Sequence, residues 1–580
     1  MKCIINIAII FILLFYCGEN FAKNVKLEPI IIEKYDFLFD RNNRYFRKDQ
    51  ITNLSVFSPE ELPDYFSAVE LKKRAPFGIQ QDLSIRGSIF EDNIVQIEGI
   101  KINDPQTGHF SLEIPFPAID IKQIGINKNK QQVDYQLKQP KEKGTLIGSS
   151  FGQHALWENL LSTNFSLGEI KNRVSAEHKI SSGGRPDTDF EIYNFSWHSL
   201  WQNSGKEAEF IFGSTERDFG ANSFYAKSFP QEEEHITQRF FLVRAKLKKE
   251  LFDIESTAYL RRHTDKFILK RHDPSFYNNF HKTYIYGAKN EVVLKNDLFL
   301  NLRLHKEKIT STNLGDHNRI SKGFFVGVKE KEFGKFIYHG FAGLDYYKPW
   351  GYLENINLNL GYKLKQNLLI DFFYNRLWRV PSFTELYYNS PSNIGNSSLD
   401  IQDSDNYQIG LKYAPIKTIK LYLDFFLRKQ SNTIDWVKDQ SADPWEAKNI
   451  GSLEARGFDF YGELKFKNSF WKILGIGYTY LDLNKGHNFN LSKYVFDYNQ
   501  HKIITNFGFD FSGINSNIIV KFSKPIARDK YTTVDLKLSK QFSNFKLSLE
   551  GINIFNQDYQ EKTDIEGIGR WYKVSLTYNF

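Results

Sequence analysis

From about Gly144 to the carboxy terminus, apolar and polar positions alternate with a period of two. Ile356, Leu358, Leu360, Tyr362 and Leu364 interleave with Asn355, Asn357, Asn359, Gly361 and Lys363. Phe458, Phe460, Leu464 and Phe466 interleave in the same way with Asp459, Tyr461, Glu463 and Lys465, and Val534, Leu536 and Leu538 with Asp535, Lys537 and Ser539. Such alternation assigns one residue type to each face of a strand. A sandwich or propeller with one buried face produces it, and so does a barrel in lipid. Length separates the two. Sandwich strands run about five or six residues, whereas many stretches here alternate for about nine or more, the roughly 9–11 that span hydrocarbon. Lipid admits sheet only as a closed barrel. Short turns such as Ser543-Asn544 and longer polar loops, read at His317–Ser321 and Asn389–Asp405, fit an outer-membrane barrel. Roughly 440 residues at about 20 per strand and connection predict on the order of 22 antiparallel strands, a size that normally holds a plug. The last strand, Trp571–Phe580, sets Tyr572, Val574, Leu576, Tyr578 and Phe580 on one face. An aromatic carboxy terminus of this kind is the signal read by a barrel-assembly machinery.

The amino-terminal part reads differently. Met1-Lys2 and apolar Ile4–Tyr16 have the form of a signal peptide, with cleavage after Ala22; bulky Tyr16 before Cys17 argues against lipoprotein processing. Residues 23–50 hold a short β-prone stretch and a polar linker, Asp40–Asp49. Residues 51–140 form a small α/β domain. Within it a helix is predicted over Ser58–Phe66, with Ser58 as N-cap, Pro59 at N1 and Glu61 at N3. Short β runs follow at Asp82–Arg86 and Asn93–Ile97, and 141–580 remain for the barrel. The fold class is therefore all-β, a transmembrane antiparallel barrel with a small α/β domain inside.

Composition narrows the chemistry. The chain has 52 Phe, 31 Tyr and 9 Trp, yet its mean hydropathy is −0.46, which suits lipid-facing aromatics diluted by polar lumen residues. Beyond the leader no apolar run reaches the about 18 residues of a membrane helix. Cys3 and Cys17 are the only cysteines, so a processed chain has no thiol for catalysis, disulfides or metals. The net charge of +8 is spread along the chain rather than clustered, which excludes a nucleic-acid partner. No histidine pair has metal-ligand spacing, and there is no nucleophile elbow or phosphate loop. No enzyme activity, catalytic residue, metal or cofactor is expected.

Several motifs carry a resemblance. Arg74–Ser88 (RAPFGIQQDLSIRGS) and Asn93–Pro105 (NIVQIEGIKINDP) resemble the plug of TonB-dependent outer-membrane receptors. Arg379–Tyr388 (RVPSFTELYY), Asn393–Asn396 (NIGN), Arg456–Asp459 (RGFD) and Asn553–Glu561 (NIFNQDYQE) resemble barrel landmarks of that family, in order. In size and landmarks the chain is similar to the compact cobalamin-type receptors. One segment departs: Ile126–Tyr135 (INKNKQQVDY) is basic and glycine-free where the family closes its plug with a glycine-rich stretch. The plug is then either shortened or diverged in its last strands.

The resemblance implies a receptor in a Gram-negative-type outer membrane that imports a scarce chelate, such as cobalamin or a ferric siderophore. Its partners would be a TonB-type energy-coupling protein in the periplasm, the assembly machinery, outer-membrane lipids and the small chelate, with the receptor a monomer. The TonB box falls on Leu27, Glu28, Pro29, Ile30, Ile31, Ile32 and Glu33, a segment suited to strand addition. The family's outward plug loop corresponds to Asn103–Leu112, where Asn103, Asp104, Gln106, Thr107 and His109 are candidate substrate contacts; an ordinary turn started by Asp104-Pro105 is the alternative. Tyr387, Tyr388 and Trp445, read in outer loops, would stack on a ligand or belong to the interface girdle. Plug arginines of the family pair with wall carboxylates, and here Arg86 matches one arginine, with Glu385 and Asp459 at the carboxylate positions. Only Lys128 is basic where a second arginine would fall, so Arg86 is expected to serve both carboxylates. The rival reading is a passive or adhesive barrel with an eroded plug; a secreted β-propeller is the other.

Overall fold

Twenty-two strands, from Gly144–Gly152 to Trp571–Asn579, pair each with the next and close into one antiparallel barrel. The structure, a computed structural model, describes residues 43–47, 51, 53–224, 230–467, 469–485, 491–562 and 565–580. The signal peptide and Leu27–Glu33 lie outside these residues. Closure joins the two ends of the barrel sequence: Lys573 stands opposite Gly152 and Asn579 opposite Leu146, and the Phe580 N–H donates to the Thr145 carbonyl at 2.8 Å.

Burial along the strands is the reverse of a soluble sheet. In Gly351–Lys365, Leu358 and Leu360 are 37% and 46% exposed, while Asn357 and Asn359 are 2% and 0% exposed. In the last strand Val574 and Leu576 face outward, and Lys573 and Ser575 face inward. An apolar exterior around a polar interior is stable only with lipid outside. One connection was misplaced by the sequence pattern: His317–Ser321 is not a loop but the start of the strand Gly315–Phe333. Arg319 and Ser321 face the lumen and Ile320 faces out. Polar residues dominate both faces at this end, which erases the alternation that marks a strand. In the Asn389–Asp405 stretch the loop ends at Ile401, and Gln402 begins the next strand.

Because the terminal strand seals the barrel through Phe580, changing Phe580 to Lys, or deleting it, is expected to lower the yield of heat-modifiable barrel in the membrane without reducing export across the inner membrane. Normal yield by semi-native electrophoresis would count against that role.

Inside the barrel sits a domain whose strands are β1 (Asn43–Arg47), β2 (Val69–Lys73), β3 (Gln81–Ile85), β4 (Ile94–Ile97), β5 (Ile100–Lys101), β6 (Ile121–Asn127) and β7 (Gln132–Leu137). Five of them form one sheet in the order β1-β6-β7-β4-β5, with β4 and β7 parallel; β2 and β3 form a separate hairpin. Ile97, Ile124, Ile126 and Val133 are fully buried and share a core with Ile211, Phe240, Leu242 and Ile504 of the barrel wall. The predicted helix is present but is a 3-10 helix, Pro59–Tyr65. Pro63 inside it lacks an amide donor and resists a longer α-helix. Ser58 makes no side-chain cap; the Glu61 carboxylate instead accepts the amides of Phe57 and Phe77, each at 3.0 Å. The last two strands, β6 and β7, pair antiparallel. Their glycine-free turn is made by Gln131, which takes the left-handed conformation (φ 51°).

Candidate functional site

Arg86 directly follows β3 in a left-handed conformation (φ 50°) and precedes Gly87 at φ 70°. A Cβ at Gly87 would lie 2.5 Å from Leu481 Cδ2 of the wall, so glycine permits both the turn and the close approach. The turn aims the guanidinium at the barrel. Arg86 Nε donates to Asp459 Oδ2 at 2.9 Å, and Nη2 reaches the same oxygen. Nη1 donates to Asn129 at 2.7 Å and Nη2 to Gln408 at 2.9 Å, and the guanidinium lies 4.0 Å over the Phe426 ring. Lys128, in the basic turn, reaches Asp424 at 2.5 Å and Asp459 at 3.0 Å. Thr479 donates to Asp459 Oδ1 at 2.7 Å. Two cations of the inner domain thus face two carboxylates of the wall, all four with little exposure.

Glu385 is not part of this cluster, which corrects the expectation that it shares Arg86. Its carboxylate accepts from Arg379 and from the Ser382 amide, each at 2.7 Å, closing a capping box at the start of α1 (Phe383–Tyr387). The Ser-x-x-Glu spacing within SFTE is a local cap signature, and it outcompetes a distant arginine. The second carboxylate is Asp424, which the sequence marks only as an inward position between Leu423 and Phe425.

Further ion pairs ring the same interface. Glu60 meets Arg217 at 2.5 Å, Asp120 meets Arg173 at 2.6 Å, and Asp64 meets Lys502 at 2.9 Å and Lys521 at 3.0 Å. Burial alone would raise the Asp64 carboxyl, but Lys502, Lys521 and Lys73 hold it well below the usual range.

At the loop end of the barrel, Asn103–Leu112 is committed to protein partners. Asp104 accepts from Arg261 at 2.5 Å and Thr283 at 3.0 Å, with His263 at 3.2 Å. Gln106 donates its backbone amide to Asp104 at 2.8 Å and its side-chain amide to Asp265 at 3.4 Å. The Asn103 side chain bridges the Val95 amide and the Asn93 carbonyl. Thr107 donates to Glu91 at 3.1 Å and caps the short turn holding His109. His109 stacks on Phe90 at 4.0 Å and lies 2.5 Å from Asp82. Burial opposes ionisation of Asp82, but His109 and Arg74 hold its carboxyl at about 2.

Glu91 goes the other way: burial, then the Glu385 charge, push it up to about 8 from an ordinary 4.5. A raised acid adds stability that is full below about 4.5 and is lost as pH rises towards 8. Ionisation strengthens the Thr107 hydrogen bond but sets a buried charge beside Glu385, so the packing around Glu91 is expected to loosen over that window, seen as faster hydrogen exchange in 104–112. Glu91→Gln should flatten the dependence; an unchanged profile would remove Glu91 as its source.

Above this loop the connections build a cover. Asn393–Ile394, Trp445–Asn449, Ile434–Lys438 and Leu491–Ser492 form a four-stranded sheet. Tyr387, Tyr388 and Trp445 are partly buried against Phe383, Leu386 and Trp436 beneath it, and Tyr387 stacks on His317 at 3.7 Å. The inner domain and the cover are joined directly: the Phe383 and Thr384 amides, free at the start of α1, donate to the Pro105 and Gln106 carbonyls at 2.9 and 3.0 Å. Nothing in the sequence pairs these two segments, because backbone donors and acceptors carry no residue signature.

A closed 22-strand barrel around a domain held by buried ion pairs can be compared with known proteins. Residues 338–556 match the family described as TonB dependent receptor-like, beta-barrel. Over those residues the chain carries a barrel of the TonB-dependent receptor type. A closed 22-strand barrel of this type is an outer-membrane barrel, and the domain inside it is plug-like. No curated protein sequence matches the chain. Among solved structures, the siderophore receptor PirA from Acinetobacter baumannii is similar at a TM-score of 0.78 and 12% identity, covering 93% of this chain and 98% of that one. PirA from Pseudomonas aeruginosa gives 0.73 and 13%, with 93% and 99% covered. The FrpB iron transporter from Neisseria meningitidis gives 0.75 and 11%, also with 93% and 99% covered. At these identities the likeness is one of fold.

Proposed function

We propose that this receptor imports a scarce chelate of the cobalamin or ferric-siderophore type, by binding at the cover and then rearranging an energised plug. The observation that carries this reading is the direct join between the plug loop and α1, through Pro105 and Gln106. A ligand seated against Tyr387, Tyr388 or Trp445 would act on α1, and α1 is bonded to the plug. Among the described residues the plug shares no strand with the wall; ion pairs, apolar packing and the α1 amides hold it, so it is a separable seal. Structural neighbours named as siderophore receptors and an iron transporter support the iron-chelate class, while the chain's compact size and landmarks favour the cobalamin type.

In this reading residues 51–140 are the plug, 23–50 carry the coupling segment and linker, and Leu27–Glu33 is the box that adds a strand to the periplasmic partner. Proline there removes a main-chain donor from the added strand. Ile30→Pro or Ile31→Pro is expected to abolish energised uptake while leaving binding at the cell surface intact. The measurement is growth on limiting chelate beside surface binding of cobalamins and siderophores in turn. Equal uptake by variant and parent would favour the passive or adhesive barrel.

A further inference from the structure

The plug does not fill the barrel evenly. On the side of the strands Phe252–Ile268 to Leu368–Arg379 a cavity of about 690 Å³ separates plug from wall. That is many times the about 30 Å³ a water molecule occupies in the liquid, and the lining is polar enough to hold water. Its extent matters more than its volume. Along Leu298–Ser311 it is lined by consecutive inward positions, Phe299, Asn301, Arg303, His305 and Glu307. Eight residue steps at about 3.3 Å span about 26 Å, or about 20 Å of height after the usual strand tilt, close to the roughly 25 Å apolar band of such barrels. At the turn end the cavity touches Lys329, whose amide donates to Asp297 in a short turn. At the loop end it touches Gln402, the first residue of its strand.

The charges around it are unequal in kind. Those of the wall are mostly engaged with one another: Arg303 with Asp345 at 2.7 Å, His305 and Arg319 with Glu307, Lys289 and Lys329 with Glu291, and Arg376 with Asp405 at 3.7 Å. From the plug side come three acids and two lysines: Asp92 is paired with Arg379 at 3.0 Å, Asp104 with Arg261 at 2.5 Å, and burial beside Glu385 pushes Glu91 up to about 8, while Lys101 stands at the end of β5 and Lys130 in the basic β6–β7 turn. Neither ammonium forms an ion pair within 4 Å among the described residues: Lys101 feels Glu307 and Asp345, whose charges Arg319 and Arg303 already answer, and Lys130 overlies the Phe341 ring at 5.3 Å. Burial lowers both, Lys130 to about 8, which leaves it mainly protonated at neutral pH. Unpaired cations in a low-dielectric passage attract anions and repel cations.

We propose that this cavity is a standing conduit past the seated plug, permeable to small inorganic anions such as chloride or phosphate without energy coupling. It is independent of which chelate the receptor imports, and of whether it imports one. Lys101 and Lys130 are its selectivity-determining residues.

The test uses the full chain, purified as heat-modifiable barrel and reconstituted in planar bilayers under a potassium chloride gradient, then with potassium phosphate. Stepwise conductance with an anion-selective reversal potential is expected. Lys101→Glu with Lys130→Glu should move the reversal potential to the cation-selective side. Cys3 and Cys17 are the only cysteines, so Lys101→Cys carries a single thiol after residue 17. Its anion preference should fall on reaction with a negatively charged methanethiosulfonate and recover with a positively charged one. That comparison is made on one folded protein before and after reaction, so misfolding does not enter it. Silent bilayers from folded parent protein would overturn the proposal, as would a conductance whose selectivity ignores both lysines.

Discussion

Arg86→Ala is expected to loosen the seated plug by about 3–5 kcal/mol, the usual consequence of removing one partner from a buried charge pair, and to make the outer membrane permeable to large antibiotics. The size follows from what remains. Arg86 supplies bonds to Asp459, Asn129 and Gln408 at once. Without it, Lys128 alone faces both Asp424 and Asp459, one cation for two carboxylates in a poorly solvated space. Arg86→Ala with Asp459→Asn restores a one-to-one pair between Lys128 and Asp424, so the double variant should be milder than the single. A merely space-filling arginine predicts the reverse order, since the double variant removes more contacts. The ordering is read from antibiotic sensitivity and from the denaturant midpoint of plug release in purified barrel; a double variant as leaky as the single would sink the charge-balance account. Glu385→Gln, included in the same comparison, should not rescue, because that carboxylate belongs to Arg379 and Ser382.

The barrel was legible because lipid imposes one rule on every strand: side chains alternate between hydrocarbon and lumen, so Leu358 and Asn359 declare their faces without knowing their neighbours. The rule weakens where the environment is polar on both sides, and there the strand holding His317–Ser321 read as a loop. Asp459 was legible for the same reason as the strands, being an inward position between two lipid-facing phenylalanines. Glu385 was misread because its motif was matched to a wall position, whereas the Ser382–Glu385 spacing is a self-contained cap. What the sequence concealed are the bonds between segments far apart in the chain. Lys128 with Asp424, and the α1 amides with Pro105 and Gln106, depend on how a plug is seated. The basic turn that looked like erosion of the plug is the element that supplies Lys128 and Asn129 to Arg86 and its carboxylates. Its missing glycine is replaced by Gln131 in the left-handed region.

Asp104→Ala is expected to unseat the plug loop rather than to weaken a ligand contact selectively. The Asp104 carboxylate is fully buried and serves Arg261, Thr283 and the Gln106 amide. Burial works against its ionisation, yet Arg261 and His263 hold it below the usual carboxylate range. Alanine leaves the buried Arg261 guanidinium without its carboxylate, while His263 keeps Glu113 at 3.0 Å. A loss of about 3–5 kcal/mol follows by the same reasoning as for a broken buried pair. Because the Pro105 and Gln106 carbonyls hold α1, the disturbance should reach the cover: hydrogen exchange is expected to rise both in 104–112 and in 383–388. His109→Ala gives the contrast. It removes a ring stacked on Phe90 and paired with Asp82, but leaves the Asp104 cluster intact, so exchange should rise near 104–112 and remain unchanged at α1. The two variants separate the roles of the loop. If Asp104→Ala left exchange at 383–388 at the parent level while lowering chelate binding, the loop would be a ligand contact and not the strut between plug and cover.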